Sequence, residues 1–126
     1  MDMFTTRKTI LIAEDDDLSY MYFETYFSRA NINVLRANDG WTAVEICRKY
    51  KINLVIMDIS LPQMDGLEAT KEIREFNSSI PIIISTGWLS EESETLSQQA
   101  GCNRLIIKPV VIKTLKDIID EYLICN

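Results

Sequence analysis

Histidine is absent from this 126-residue chain. That removes Ser–His and Cys–His nucleophilic catalysis, imidazole metal ligands and any phosphohistidine role for the chain itself. Cysteine is sparse. Cys47, Cys102 and Cys125 are far apart, odd in number, and match neither a zinc spacing nor a redox pair. They read as reduced, partly buried thiols. No apolar run approaches membrane-spanning length. The opening MDMFTTRKTI is too polar and too short for a signal peptide. A cytoplasmic location is therefore expected. Basic residues are outnumbered, 13 against 19 acids for a net charge of −6, and they form no stripe. This argues against direct nucleic-acid binding, which needs cations to neutralise phosphates. No linker, repeat or low-complexity stretch interrupts the chain. One domain over residues 1–126 is expected, large enough to bury a core, with residues 1–8 as an N-terminal extension.

What the chain does have is alternation. Short apolar bursts at 10–13, 32–35, 54–57, 80–84 and 105–107 read as strands. Between them lie amphipathic segments. Leu18, Tyr22, Phe23, Tyr26 and Phe27 share one helical face. Asp39 can N-cap a helix that turns Ala43, Val44, Cys47 and Tyr50 inward. Gly66 opens a helix with Ala69, Ile73 and Phe76 in phase. Ser90 can cap a weaker helix whose inward side is little more than Leu96 and Ala100. Val111, Leu115, Ile118, Ile119 and Tyr122 form a last stripe. Five βα units with near-continuous apolar strands predict a doubly wound α/β sandwich on a parallel sheet. Ligands of such folds sit beyond the carboxyl ends of the strands.

Those ends carry chemistry. Glu14, Asp15, Asp16 and Asp17 follow the first strand, Asp58 the third, Ser85, Thr86 and Gly87 the fourth, and Lys108–Pro109 the fifth. The second strand ends near Arg36 and offers nothing comparable. Two carboxylates ~4 Å apart repel by about 4 kcal/mol at an effective dielectric near 20. A hard divalent cation on oxygen ligands, with Lys108, would offset that. The same set suits phosphoryl transfer with Asp58 as nucleophile, Lys108 on the oxygens and Thr86 donating a hydrogen bond. Plainer readings stand beside these. Asp16 and Asp17 suit a helix N-terminus, Asp65 suits a turn or cap, Thr86 a turn, and Lys108 an open surface. Trp88 reads as core packing ahead of an exposed anchor.

The motifs ILIAEDD (10–16), MDISLPQMDG (57–66), PIIISTG (81–87) and IIKP (106–109) occur in order at a specific spacing. In essentially its whole length the chain resembles the receiver domain of two-component response regulators, the chemotaxis-regulator-like type. The resemblance implies a flavodoxin-like (βα)5 fold with strand order 2-1-3-4-5. It implies Asp58 as phosphoacceptor, and Mg²⁺ (or Mn²⁺) on Asp15, Asp58 and the Ser60 carbonyl, with Glu14 acting through water. It implies Thr86 and Lys108 as phosphoryl-binding groups and a cis Lys108–Pro109 peptide. Implied partners are a histidine kinase or histidine phosphotransfer domain and an output protein on the fourth helix, fifth strand and fifth helix. Departures fall at switch-associated positions. Leu105 stands where the family often has an aromatic, Arg104 where it often has an acid, and Gly87 where alanine is common. These leave the phosphorylation chemistry intact and the route of output open.

With the last helical stripe running almost to Asn126, the resemblance fits a stand-alone regulator or a receiver excised from a hybrid histidine kinase. It implies a self-phosphorylating and self-dephosphorylating switch rather than a turnover enzyme. Other classes fit less well. A haloacid-dehalogenase-type phosphatase also uses a strand-end Asp and Mg²⁺, but needs a second Asp where Ser60 stands. A flavodoxin-like cofactor module needs a phosphate loop where this chain has four acids. A phosphorylation-independent interaction module has no use for the acid, Asp58, Thr86 and Lys108 set.

Overall fold

The computed structural model describes residues 7–124. Most of the expected N-terminal extension, residues 1–6, and Cys125 lie outside the described residues. Five strands, β1 (Thr9–Ala13), β2 (Asn33–Ala37), β3 (Leu54–Asp58), β4 (Ile82–Thr86) and β5 (Arg104–Ile107), form one sheet. All pairings are parallel and the order is β2-β1-β3-β4-β5. The crossovers are α1 (Asp17–Arg29), α2 (Gly40–Lys49), α3 (Gly66–Phe76) and α4 (Glu91–Ala100). After β5 come α5 (Ile112–Ile118) and a π-helical turn, Ile119–Ile124. This is the doubly wound sandwich that the alternating pattern predicts, in the flavodoxin-like strand order that the resemblance implies.

Successive strand residues point to opposite faces, and both faces are covered. Leu11, Ala13, Val55, Met57, Ile82 and Ile84 pack with Ala43, Val44, Ala69 and Ile73 of α2 and α3. Ile10, Ile12, Leu54, Ile56 and Ile83 pack with Phe23, Phe27, Leu115 and Ile118 of α1 and α5. Burying each of the larger side chains contributes about 1.5–3 kcal/mol. Those contacts hold the strand tips still. Side-chain caps fix where helices begin. Asp16, Asp39, Asp65 and Ser90 accept from the backbone N–H of Ser19, Thr42, Glu68 and Ser93.

Several large side chains depart from the periodicity. Leu18 is 78% exposed and Tyr22 is also outward, because their side of the first two turns of α1 faces the β5–α5 loop rather than the sheet. There the Tyr22 hydroxyl donates to the Val110 carbonyl. Tyr50 is exposed because it is the extended residue ending α2, off the helical face. Phe76 is exposed too, its ring covered by the Arg48 guanidinium at 4.6 Å. On α4 the inward residues are Ser97 and Ala100 rather than Leu96. Val111 is exposed as the extended residue before α5, and Leu123 extends the buried stripe instead. Trp88 is 79% exposed, so core packing is excluded for it. β4 begins after Pro81, whose missing N–H suits a strand's start, and runs through Ser85 and Thr86. Likewise β2 runs to Ala37 and includes Arg36.

Candidate functional site

The carboxyl edge of the sheet gathers the charges. Asp58 is the last residue of β3, 7% exposed, its backbone in register with Ser85 of β4. Gly66 makes this possible. A Cβ there would sit 2.2 Å from the Asp58 carbonyl oxygen, so only glycine lets α3 start directly behind β3. At Gly40, which opens α2, an added Cβ would likewise sit 2.0 Å from the Met64 carbonyl oxygen. Between these two contacts the 59–65 loop is pinned. It bends at Gln63, whose φ of 67° lies in the left-handed region. The Ser60 N–H donates to Asp58 Oδ1 at 3.1 Å and orients that carboxylate.

β1 supplies the other acids. Glu14 N–H continues the ladder onto the Ala37 carbonyl at 3.0 Å. Glu14 is 1% exposed, while Asp15 is exposed. Carboxylate oxygens of Glu14, Asp15 and Asp58 all lie within 4.8 Å of one another. Glu14 Oε2 also accepts from the Asp16 N–H at 3.1 Å. Across the cleft, Lys108 Nζ lies 2.5 Å from Glu14 Oε1 and 3.2 Å from Asp58 Oδ2. Its backbone N–H donates to the Thr86 carbonyl at 2.8 Å, and the Lys108–Pro109 peptide is cis.

Burial pushes the Glu14 carboxyl above its usual range, against the hydrogen bonds from Lys108 and the Asp16 amide. Burial pulls the Lys108 ammonium down, but the Glu14 and Asp58 carboxylates outweigh it and hold it above the ordinary lysine range. The pair thus keeps its bridging proton tightly. One cation among three acids leaves the cluster negative. Three carboxylates with nearby backbone carbonyls make an oxygen-only donor set, which fits a hard divalent cation.

The remaining expected residues are placed as follows. Ser60 is exposed on the loop after Asp58. Thr86 is buried at the tip of β4, but its hydroxyl is engaged with the next loop. It donates to the Trp88 carbonyl at 3.0 Å and accepts from the Trp88 N–H at 3.1 Å. Gly87 faces open space on its Cβ side. Leu105 is half-buried against the α2–α3 core. The structure therefore brings Glu14, Asp15, Asp58 and Lys108 together and leaves the Thr86 hydroxyl tied to Trp88.

Sequence reasoning missed Arg36. Its Nε donates to the Glu14 carbonyl at 3.1 Å, and Nη2 lies 2.9 Å from Asp17 Oδ1. The signal lay in strand register: parallel pairing sets Arg36 beside Ile12, two residues before Glu14.

Fold and site together define a doubly wound, flavodoxin-like protein with an acidic, lysine-bridged cleft at the carboxyl edge of its sheet. The family model for the response regulator receiver domain matches residues 10–120. The chain belongs to the receiver domain family of two-component response regulators. It is 30% identical over 118 residues to the polar-differentiation response regulator DivK of Brucella anthropi, covering 92% of this chain and 96% of that protein. Among solved structures it superposes on a CheY-like receiver domain protein of Methanospirillum hungatei with a TM-score of 0.87 at 28% identity, covering 92% of this chain and 93% of the other. It also superposes on the receiver domain of a Pseudomonas aeruginosa sensor histidine kinase with a TM-score of 0.86 at 28% identity, covering 93% and 98%. That structure has a magnesium ion coordinated in its active-site cleft.

Proposed function

We propose that this receiver accepts a phosphoryl group on Asp58 from a phosphohistidine of a histidine kinase or histidine phosphotransfer domain. One observation carries the reading: the nearly buried Asp58 carboxylate lies within 4.8 Å of two other acids and 3.2 Å from Lys108 Nζ. A strand-tip carboxylate held this way is an oriented nucleophile. In the transfer an Asp58 oxygen bonds to phosphorus, the donor's P–N bond breaks, and its electron pair stays on the imidazole. In hydrolysis, water attacks phosphorus, the acyl-phosphate P–O bond breaks and inorganic phosphate leaves.

Asp15, Asp58 and the Ser60 carbonyl would hold Mg²⁺, with Glu14 acting through water; Mn²⁺ suits the same oxygens. The cation, when bound, neutralises charge on the phosphoryl oxygens and the acids. Magnesium in the cleft of the P. aeruginosa relative supports this assignment. Lys108 takes a phosphoryl oxygen in exchange for its contact with Asp58. Thr86 releases Trp88 and turns its hydroxyl to the phosphoryl group. The β4–α4 loop follows, and α4 moves with it, since only Ser97 and Ala100 are buried on that helix. Leu105 and Gly87 leave space for this shift. The output partner reads α4, β5 and α5, a face on which Ile107 is exposed, flanked by the exposed Trp88 and Leu89 of the β4–α4 loop. The protein acts as one domain in the cytoplasm, alone or as the cytoplasmic receiver of a hybrid kinase. Among the described residues no helix is long and apolar enough to cross a membrane.

Intact-mass measurement with acetyl phosphate and Mg²⁺ tests the reading. The wild type is expected to gain one phosphoryl group that Asp58→Asn and EDTA both abolish. Equal gain in Asp58→Asn would overturn the assignment.

A further inference from the structure

Arg36 makes contacts on three sides, one of them a hydrogen bond. Nε donates to the Glu14 carbonyl at 3.1 Å. Nη2 stands 2.9 Å from Asp17 Oδ1. The guanidinium lies over the Tyr20 ring, 4.4 Å from its centroid. Asp17 and Tyr20 belong to α1, Arg36 to β2, and the Glu14 carbonyl to the peptide that leads into Asp15. That peptide connects the most buried acid of the cleft to its most exposed one. Glu14 N–H is fixed on the Ala37 carbonyl at 3.0 Å. With Arg36 on the following carbonyl, both sides of Glu14 are held by the end of β2.

We propose that Arg36 is a positioning residue for divalent-cation binding, fixing the Glu14–Asp15 peptide so that the Asp15 carboxylate is presented to the cleft. The inference rests on the metal site described above. Asp15 itself is exposed, and none of the side-chain hydrogen bonds among the described residues orients its carboxylate. Its direction is therefore set through its backbone. An arginine suits the task where a lysine does not. It donates along one edge, pairs with a carboxylate at another and stacks through its face at the same time. A lysine offers one compact charge.

A contrary electrostatic effect makes the sign decisive. Arg36 is positive and close to the acids, so as a bare charge it repels a divalent cation. Removing it would then tighten Mg²⁺ binding. Removing a positioning residue loosens it instead. Loss of a partner that orients a metal ligand typically weakens affinity by about 10–100-fold.

The experiment is Mg²⁺ titration calorimetry on the intact chain for wild type, Asp15→Asn, Arg36→Gln and Arg36→Lys, with thermal melts of each. Amide exchange at residues 14–17 is followed in parallel. Arg36→Gln is expected to bind Mg²⁺ about tenfold more weakly, with faster exchange at residues 14–17. Arg36→Lys is expected to stay closer to Gln than to wild type despite its charge. With saturating Mg²⁺, the acetyl phosphate labelling rate of Arg36→Gln is expected to return to the wild-type value. Should Arg36→Gln not fold, Tyr20→Leu removes the ring under the guanidinium and must shift affinity the same way. Unchanged or tighter Mg²⁺ binding in the glutamine variant, or full rescue by lysine, overturns the proposal. Wild type that binds no Mg²⁺ overturns the metal site itself. Loss in Asp15→Asn alone overturns only the role of Arg36.

Discussion

Lys108→Met removes the one cation that, among the described residues, contacts two buried carboxylates. Glu14 and Asp58 oxygens then face each other across at most 4.8 Å without it. At that separation and an effective dielectric near 20, two full charges repel by about 3.5 kcal/mol. Partial protonation and solvent entry reduce this, so a loss of about 2–3 kcal/mol is expected in metal-free buffer at neutral pH, slightly below the range for breaking a buried pair. The assay is equilibrium urea unfolding in EDTA, repeated with Mg²⁺ and across pH. Glu14 is already raised by burial, and without Lys108 its lowering influence is gone. A carboxyl raised in the folded state binds its proton more tightly there. Its stabilising effect is full below the unfolded value of about 4.3 and is lost as pH rises through the folded value. The deficit should therefore be small near about pH 4 and largest above neutrality. Adding Glu14→Gln should recover most of it, since the repulsion then has one partner. Mg²⁺ should stabilise the methionine variant more than the wild type. A variant as stable as wild type in EDTA at neutral pH, or a deficit independent of pH, would refute the reasoning.

Other outcomes follow from single contacts. Gly66→Ala drives a Cβ to 2.2 Å from the Asp58 carbonyl, so urea melts should show a loss of about 2–4 kcal/mol, beyond the ordinary glycine-to-alanine range. Burial pushes the Cys47 thiol up to about 12, so maleimide at neutral pH should leave Cys47 unlabelled in the native protein and label it in urea, read by peptide mass. If Thr86 leaves the Trp88 backbone on phosphorylation, Trp88 emission in a Trp41→Phe background should change with acetyl phosphate, and Thr86→Val should abolish the change.

Where a segment's role is set by its own apolar content, the sequence read correctly. The runs around Leu11, Val55 and Ile83 could only be central strands, and Asp16, Asp39, Asp65 and Ser90 announced their helices. The acids, Asp58 and Lys108 were legible because strand tips of this fold converge. What was not legible depends on tertiary neighbours. Tyr22 and Phe23 look alike in a periodic pattern, yet a carbonyl on the β5–α5 loop draws Tyr22 outward. Phe76 finds an arginine in place of a core. Ser85 and Thr86 are too polar to read as strand, but β5 pairs with them. Arg36 stayed invisible because its value comes from lying beside β1.

Asp58 as phosphoacceptor is the central claim, and chemical mapping tests it most directly. The protein is incubated with acetyl phosphate and Mg²⁺, then treated with borohydride, which reduces an acyl phosphate to the alcohol. Peptide sequencing by mass should place homoserine at position 58 and at no other acid. Homoserine at Asp15, or none in a sample shown to bind Mg²⁺, would contradict the account.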